Sequence, residues 1–193
     1  MKSQVTTKLG DDGQTMALSG VRYSKAHAIM DCVGTLDELR AHTATLRLTV
    51  LDSGRADAQE AAHFLLWLMH VYFPIGSALS DPENARPEYH KVALTPGHLE
   101  RLEREQARLE EQTPLPPIFV VCATNAAAAQ ADVTCTVARR LERAVVHLAE
   151  QHSAFEAKNV LAFLNRLSDY LFILARYLED GQHTALDYTR LCE

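Results

Sequence analysis

Phe155–Asp180 reads FEAKNVLAFLNRLSDYLFILARYLED, and its spacing decides the fold. Val160, Leu164, Leu167, Leu171, Leu174 and Leu178 recur at three- and four-residue steps, the period that stacks side chains on one face of an α-helix. Gly181 follows, the residue type that most readily takes the left-handed conformation ending a helix. So long a leucine stripe must be buried against other helices. Asn165 and Asp169 fall together opposite that stripe, where an asparagine in mid-helix asks for a reason.

Outward from this segment the chain repeats the pattern. A fourth helix runs from about Asn125 to Gln151 on the stripe Ala138, Leu141, Val145 and Leu148. Cys135, Arg139 and Glu142 stand at i, i+4 and i+7 on one of its faces, with Arg140 and Arg143 beside them. An arginine held by a glutamate one turn away is a fixed phosphate donor, and equally a plain surface ion pair. Thr113-Pro114-Leu115-Pro116-Pro117 forces an extended connection before it, and Ile118–Val121 reads as an extended lead-in, since a single strand has nothing to pair with. Thr95-Pro96 starts a third, highly charged helix that ends near Gln112. Ser80–Leu94 is a connecting loop.

The second helix is expected from about Ala56 to Leu79, with Pro74 kinking or breaking it. Ala61–Leu79 holds 19 residues without Asp, Glu, Lys or Arg, the length of a membrane span. It also holds His63, His70, Pro74, Gly76 and Ser77 with no flanking positive cluster, which fits a core helix and no membrane contact. The first helix spans about Ala26 to Val50. The fold class expected is all-α: a five-helix antiparallel bundle in one domain over residues 1–193, with an ordered loop at 1–25, the bundle at 26–180 and a tail at 181–193.

That N-terminal loop is crowded with groups suited to a polyphosphate. Gly10 and Gly13 let amides turn toward an anion; Lys8, Arg22 and Lys25 supply cations; Thr7, Thr15 and Ser24 supply hydroxyls. Asp11 or Asp12 could hold a magnesium ion carried by a nucleotide. The Walker spacing is absent, and the same residues would also suit a solvated arm. A net charge of −6 argues against nucleic acid as a partner. Four cysteines without a CxxC pair read as reduced thiols in a cytoplasmic protein, and nothing behind Lys2 resembles a signal peptide. Neither HExxH nor paired ExxH appears, so no protein-held metal centre is expected; GxSxG and GxGxxG are missing too.

Taken in series, five blocks carry a resemblance. They are Thr7-Lys8-x-Gly10-Asp11-x-Gly13-x-Thr15, Gly20-x-Arg22-x-Ser24-Lys25, Gly34-Thr35-Leu36-Asp37-Glu38-Leu39, Arg139-Arg140-x-Glu142-Arg143, and Leu164–Phe172 with Ala175-Arg176. The chain resembles the PduO-type ATP:cob(I)alamin adenosyltransferases. That resemblance implies a homotrimer with active sites between subunits, in which reduced cobalt attacks the 5′-carbon of ATP and displaces triphosphate. It assigns ATP, with its Mg2+, to Thr7, Lys8, Gly10, Asp11, Gly13, Thr15, Arg22, Ser24, Lys25, Arg139, Glu142 and Asn165, with Lys8, Arg139 and Glu142 in the catalytic role. Phe119 matches the phenylalanine that stands where a lower ligand of cobalt in cobalamin would bind. A reductase and an adenosylcobalamin-dependent acceptor enzyme are implied as partners.

The corrinoid side departs from the family pattern. Cys122-Ala123-Thr124 replaces a Pro-Gly-Gly turn, Asp132 stands for a histidine, and Arg40 for an asparagine. Cys135 stands for an arginine that pairs across the subunit interface with the acid matching Asp37, and Arg40 is the cation at hand to replace it. These changes keep a second class open, a diverged paralogue that binds a nucleotide, a corrinoid or another ligand without transfer, or runs other ATP chemistry.

Overall fold

A computed structural model describes residues 8–115, 117–121 and 123–192. Five helices form where the apolar stripes fall: α1 at Ala28–Leu51, α2 at Ala58–Ser80, α3 at Pro96–Gln112, α4 at Ala126–Gln151 and α5 at Lys158–Leu178. The starts of α1 and α4 are set by side chains that accept otherwise orphaned amides. His27 Nδ1 takes the Ile29 N–H ahead of α1, and Asn125 Oδ1 takes the Ala128 N–H ahead of α4. Pro96 opens α3 directly after Thr95.

Consecutive helices run antiparallel. Across α1 and α4, Glu38 pairs with Arg140 and His42 with Gln130; across α4 and α5, Glu142 meets Asn165 and Asp132 meets Arg176. α4 lies between α1 and α5, α2 covers α1, and α3 lies along α5. Leu39, Leu46, Leu65, Leu68, Leu141 and Leu174 are fully buried at the centre. Each such leucine contributes about 1.5–3 kcal/mol relative to exposure.

Three differences from the expected layout have physical reasons, while the expectation that α2 is a core helix holds. Of the two outcomes expected at Pro74, a break does not occur: α2 continues as helix through it, because Tyr72, Ile75 and Leu79 around it are buried and their packing outweighs one lost hydrogen bond. α2 is long and apolar enough to cross a membrane by length and composition; in the structure Ala61, Leu65, Leu68, Tyr72, Ile75 and Leu79 are packed into the core. The lead-in at 118–121 does find a partner: β3, Val120–Val121, pairs antiparallel with β4, Thr184–Ala185, inside the segment expected to be a tail. Finally, α5 begins at Lys158, after a turn in which the Phe155 N–H reaches the His152 carbonyl.

One end of the bundle gathers the start of α1, the end of α2, the start of α3 and the end of α4, and the N-terminal loop folds over it. The opposite end gathers the start of α4, the end of α5 and the β3–β4 pair.

Candidate functional site

The loop at the first end is a hairpin. β1, Gln14–Met16, pairs antiparallel with β2, Arg22–Ser24, so that Thr15 lies opposite Tyr23. Gly13 closes its approach with a φ of 79° and offers its carbonyl to the Lys25 N–H at 2.9 Å. Lys8 itself sits at φ 60°, a left-handed conformation uncommon for a side-chain-bearing residue. Lys25 Nζ reaches across to donate to the Gly10 carbonyl at 2.8 Å. Arg22 Nη2 donates to the Leu9 carbonyl at 3.2 Å and to Asp12 Oδ2 at 2.9 Å. The Gln14 amide, and then Arg22, hold the Asp12 carboxyl below its ordinary range. Asp11 is exposed beside it. Ser24 Oγ accepts the Ala26 N–H, which steers the chain from β2 into α1. Thr7 lies outside the described residues.

Two contacts dock this hairpin. Leu18 N–H donates to Ser80 Oγ at the end of α2, at 2.9 Å. Gly20, at φ 81°, lies so close to Arg86 that a β-carbon there would stand 2.3 Å from Nη2. Arg86 is placed by Asp81, whose buried carboxylate accepts the Ala85 and Arg86 amides at 2.9 Å each and meets His90 Nε2 at 3.0 Å.

Beyond Lys25 a cleft of about 750 Å³ opens between the first half of α1 and the second half of α4. Lys25, His27, Asp31, Glu38, Arg140 and Gln151 are among its walls. Arg140 and Glu38 form an ion pair across it. Sequence spacing set Arg140 only beside the Arg139 face; no local signal joins it to Glu38, 102 residues earlier.

Arg139, Glu142 and Asn165 do not line that cleft. Successive helix residues turn by about 100°, so Arg140 faces α1 while Glu142 faces α5 and Arg139 looks outward between them. Glu142 Oε1 accepts Asn165 Nδ2 at 3.1 Å, and among the described residues no Arg139–Glu142 ion pair accompanies it. The asparagine in the middle of α5 is thus the residue that orients this glutamate. Arg139 is exposed, and its carbonyl accepts from Arg143 Nη1 at 3.2 Å.

Phe119 belongs to the opposite end. Its ring is 76% exposed, and its carbonyl accepts the Leu186 N–H at 2.9 Å, from the segment that follows β4. The altered positions nearby are accounted for locally. Asp132 Oδ2 lies 2.7 Å from Arg176 Nη2, and Arg176 is fully buried, so the aspartate supplies the counter-charge that a buried guanidinium requires. Cys135 is buried with Sγ donating to the Ser168 carbonyl, and burial pushes its thiol pKa up. Asp37 pairs with Arg40 at 2.9 Å, and Arg40 in turn lies over the Phe73 ring. Cys122 is outside the described residues.

Comparison with known proteins sets this geometry in context. The family model described as cobalamin adenosyltransferase matches residues 5–178. Human corrinoid adenosyltransferase MMAB is 34% identical over 176 residues, which cover 90% of this chain and 68% of that protein. A cobalamin adenosyltransferase of Cupriavidus metallidurans is 34% identical over 176 residues, covering 91% and 88%. A solved variant of a PduO-type ATP:corrinoid adenosyltransferase from Lactobacillus reuteri, complexed with cobalamin and ATP, superposes with a TM-score of 0.83 at 25% identity, covering 96% of both chains.

Proposed function

The chain belongs to the cobalamin adenosyltransferase family and is an ATP-dependent corrinoid adenosyltransferase, and we propose that its N-terminal hairpin grips the triphosphate while a second copy completes the site. Cob(I)alamin supplies both electrons of the new cobalt–carbon bond, the bond from the 5′-carbon to oxygen breaks, and triphosphate leaves with that electron pair. Cobalt is thereby oxidised by two electrons. Nothing in this displacement requires a proton to move, so the absence of a base dyad in the motifs is no obstacle.

What the reaction does require is positive charge where the leaving group develops negative charge, and a fixed line of attack. Lys8, Arg22, Lys25 and Arg139 are the cations assigned to the triphosphate. Thr7, Gly10, Gly13, Thr15 and Ser24 provide hydroxyls, amides and the turns that expose them, and Glu142 with Asn165 orients the nucleoside. Magnesium arrives on the nucleotide in this reading. Asp11 is the loop acid available to approach it, Asp12 being held by Arg22 and the Gln14 amide. Phe119 faces the corrinoid.

The observation that carries the reading is the hairpin, where two cations, Arg22 and Lys25, converge on carbonyls of one short loop at the mouth of a cleft. Because Arg139, Glu142 and Asn165 do not line that cleft, the reading brings them from a neighbouring copy, in a homotrimer as the resemblance implies. The buried thiols Cys32 and Cys135 suit a reducing, cytoplasmic setting, with a reductase upstream and an adenosylcobalamin-dependent enzyme downstream.

The test is spectrophotometric. Cobalamin reduced to cob(I)alamin and mixed with the protein and Mg-ATP should convert to the adenosylcobalamin spectrum, and light should reverse it. No conversion, with thermal stabilisation by ATP alone, would favour the non-transferring alternative. For the shared site, inactive Lys8→Ala and Arg139→Ala chains mixed after dissociation should regain activity, whereas a site within one chain would stay dead.

A further inference from the structure

Glu179 stands just past the end of α5, 3% exposed, and its carboxylate meets three separate parts of the chain. Oε1 accepts the Thr124 N–H at 3.1 Å, from the segment that leads from Phe119 into α4. Oε2 lies 2.9 Å from Arg176 Nε on α5 and 2.9 Å from His183 Nδ1, one residue before β4. From there the chain pairs β4 with β3 and gives the Leu186 N–H to the Phe119 carbonyl.

A strand pair with only two registered residues on each side has little stability of its own. The buried carboxylate supplies what the ladder lacks, because displacing any of its partners would leave a charge or a donor unsatisfied. Phe119 is thus a largely exposed aromatic residue on a backbone clamped from behind.

We propose that Glu179 and His183 are positioning residues for the corrinoid. They fasten the C-terminal segment against β3 and so fix where Phe119 meets the substrate. The proposal rests on the reading of Phe119 as the corrinoid contact. Neither residue touches the hairpin at the other end of the bundle, so the clasp acts on one substrate and leaves the other alone.

Steady-state kinetics with cob(I)alamin and ATP varied separately test this on the full chain. His183→Ala should raise KM for cob(I)alamin roughly tenfold, within the hundredfold that a 1 Å misplacement can cost. KM for ATP should stay within about twofold, the pattern of a lost ground-state contact to one substrate. His183→Asn keeps a donor where Nδ1 stands and should recover most of the loss. Glu179→Gln should shift the same constant in the same direction. If Phe119→Ala leaves the corrinoid KM unchanged, the reading of Phe119 falls. If Phe119→Ala raises it but His183→Ala does not, the clasp is not a positioning device. An equal rise in both KM values with a large fall in melting temperature would reduce His183 to a structural role and overturn the proposal as well.

Discussion

α4 and α5 bring arginines and acids together at two levels, with opposite outcomes. Near their middle, Arg139 is exposed and Glu142 is met by an amide, Asn165. At the far end, Arg176 is fully buried between Asp132 and Glu179, and Glu179 takes an amide and a histidine besides. The buried cluster is saturated by its own chain and serves to hold it. The exposed one leaves its guanidinium turned to solvent, where a ligand of high negative charge is the natural counterpart. Both places set an arginine near acids; solvent access and saturation set them apart.

The sharpest way to break that contrast is to remove one charge at each level. Arg176→Ala leaves Asp132 and Glu179 partly or wholly buried without their cation and should cost about 3–5 kcal/mol of stability, read as a lower midpoint in urea. A loss under ~1 kcal/mol would mean the cluster is not the clamp it looks to be. Arg139→Ala should do the reverse, lowering kcat/KM about a hundredfold, or about 2.7 kcal/mol of transition-state stabilisation, while the urea midpoint barely moves. Were stability to fall instead, Arg139 would belong with the scaffold.

Smaller effects sharpen the picture at the hairpin end. Gly20→Ala puts a side chain at φ 81° against Arg86 and should cost on the order of 1 kcal/mol, with KM for ATP raised because the hairpin undocks. An unchanged KM for ATP would separate docking from nucleotide binding.

The smallest effect concerns pH. Burial pushes the Asp81 carboxyl up, but the Arg86 and Ala85 amides and His90 outweigh it and hold it below its ordinary range. A carboxyl with a lowered folded value stabilises the fold above its unfolded value near 3.9 and loses that contribution as pH falls through the folded value. Stability measured from pH 5 downward should therefore fall more steeply in the parent chain than in Asp81→Asn; equal slopes would remove Asp81 from the anchoring of Arg86.

Much of this was legible in the residues. Repeating stripes such as Leu164, Leu167, Leu171 and Leu174 announce helices because burial and period coincide. The five helices and their antiparallel order follow from them. What escaped the reading lies in long-range pairs. Val120 finds Ala185, Glu38 finds Arg140 and Asp132 finds Arg176 only after the bundle has formed, and no spacing rule reaches across 44 to 102 residues. The break that Pro74 offered as one outcome is absent for a related reason: local propensity speaks for it, and tertiary packing around Tyr72 and Ile75 decides otherwise. The arginine–glutamate pair expected on α4 failed because a neighbour on α5, Asn165, competes for the same carboxylate.

The hairpin's cations have one further consequence. Within the hairpin Lys25 rests on the Gly10 carbonyl, and Arg22 on the Leu9 carbonyl and Asp12. On the proposed reading an incoming anion must outbid these internal stand-ins, and a lone phosphate that trades one partner for another would gain little. A triphosphate would recruit several cations at once and win by number, so that the loop's own carbonyls would set a threshold, admitting ligands by how many charges they carry in a row.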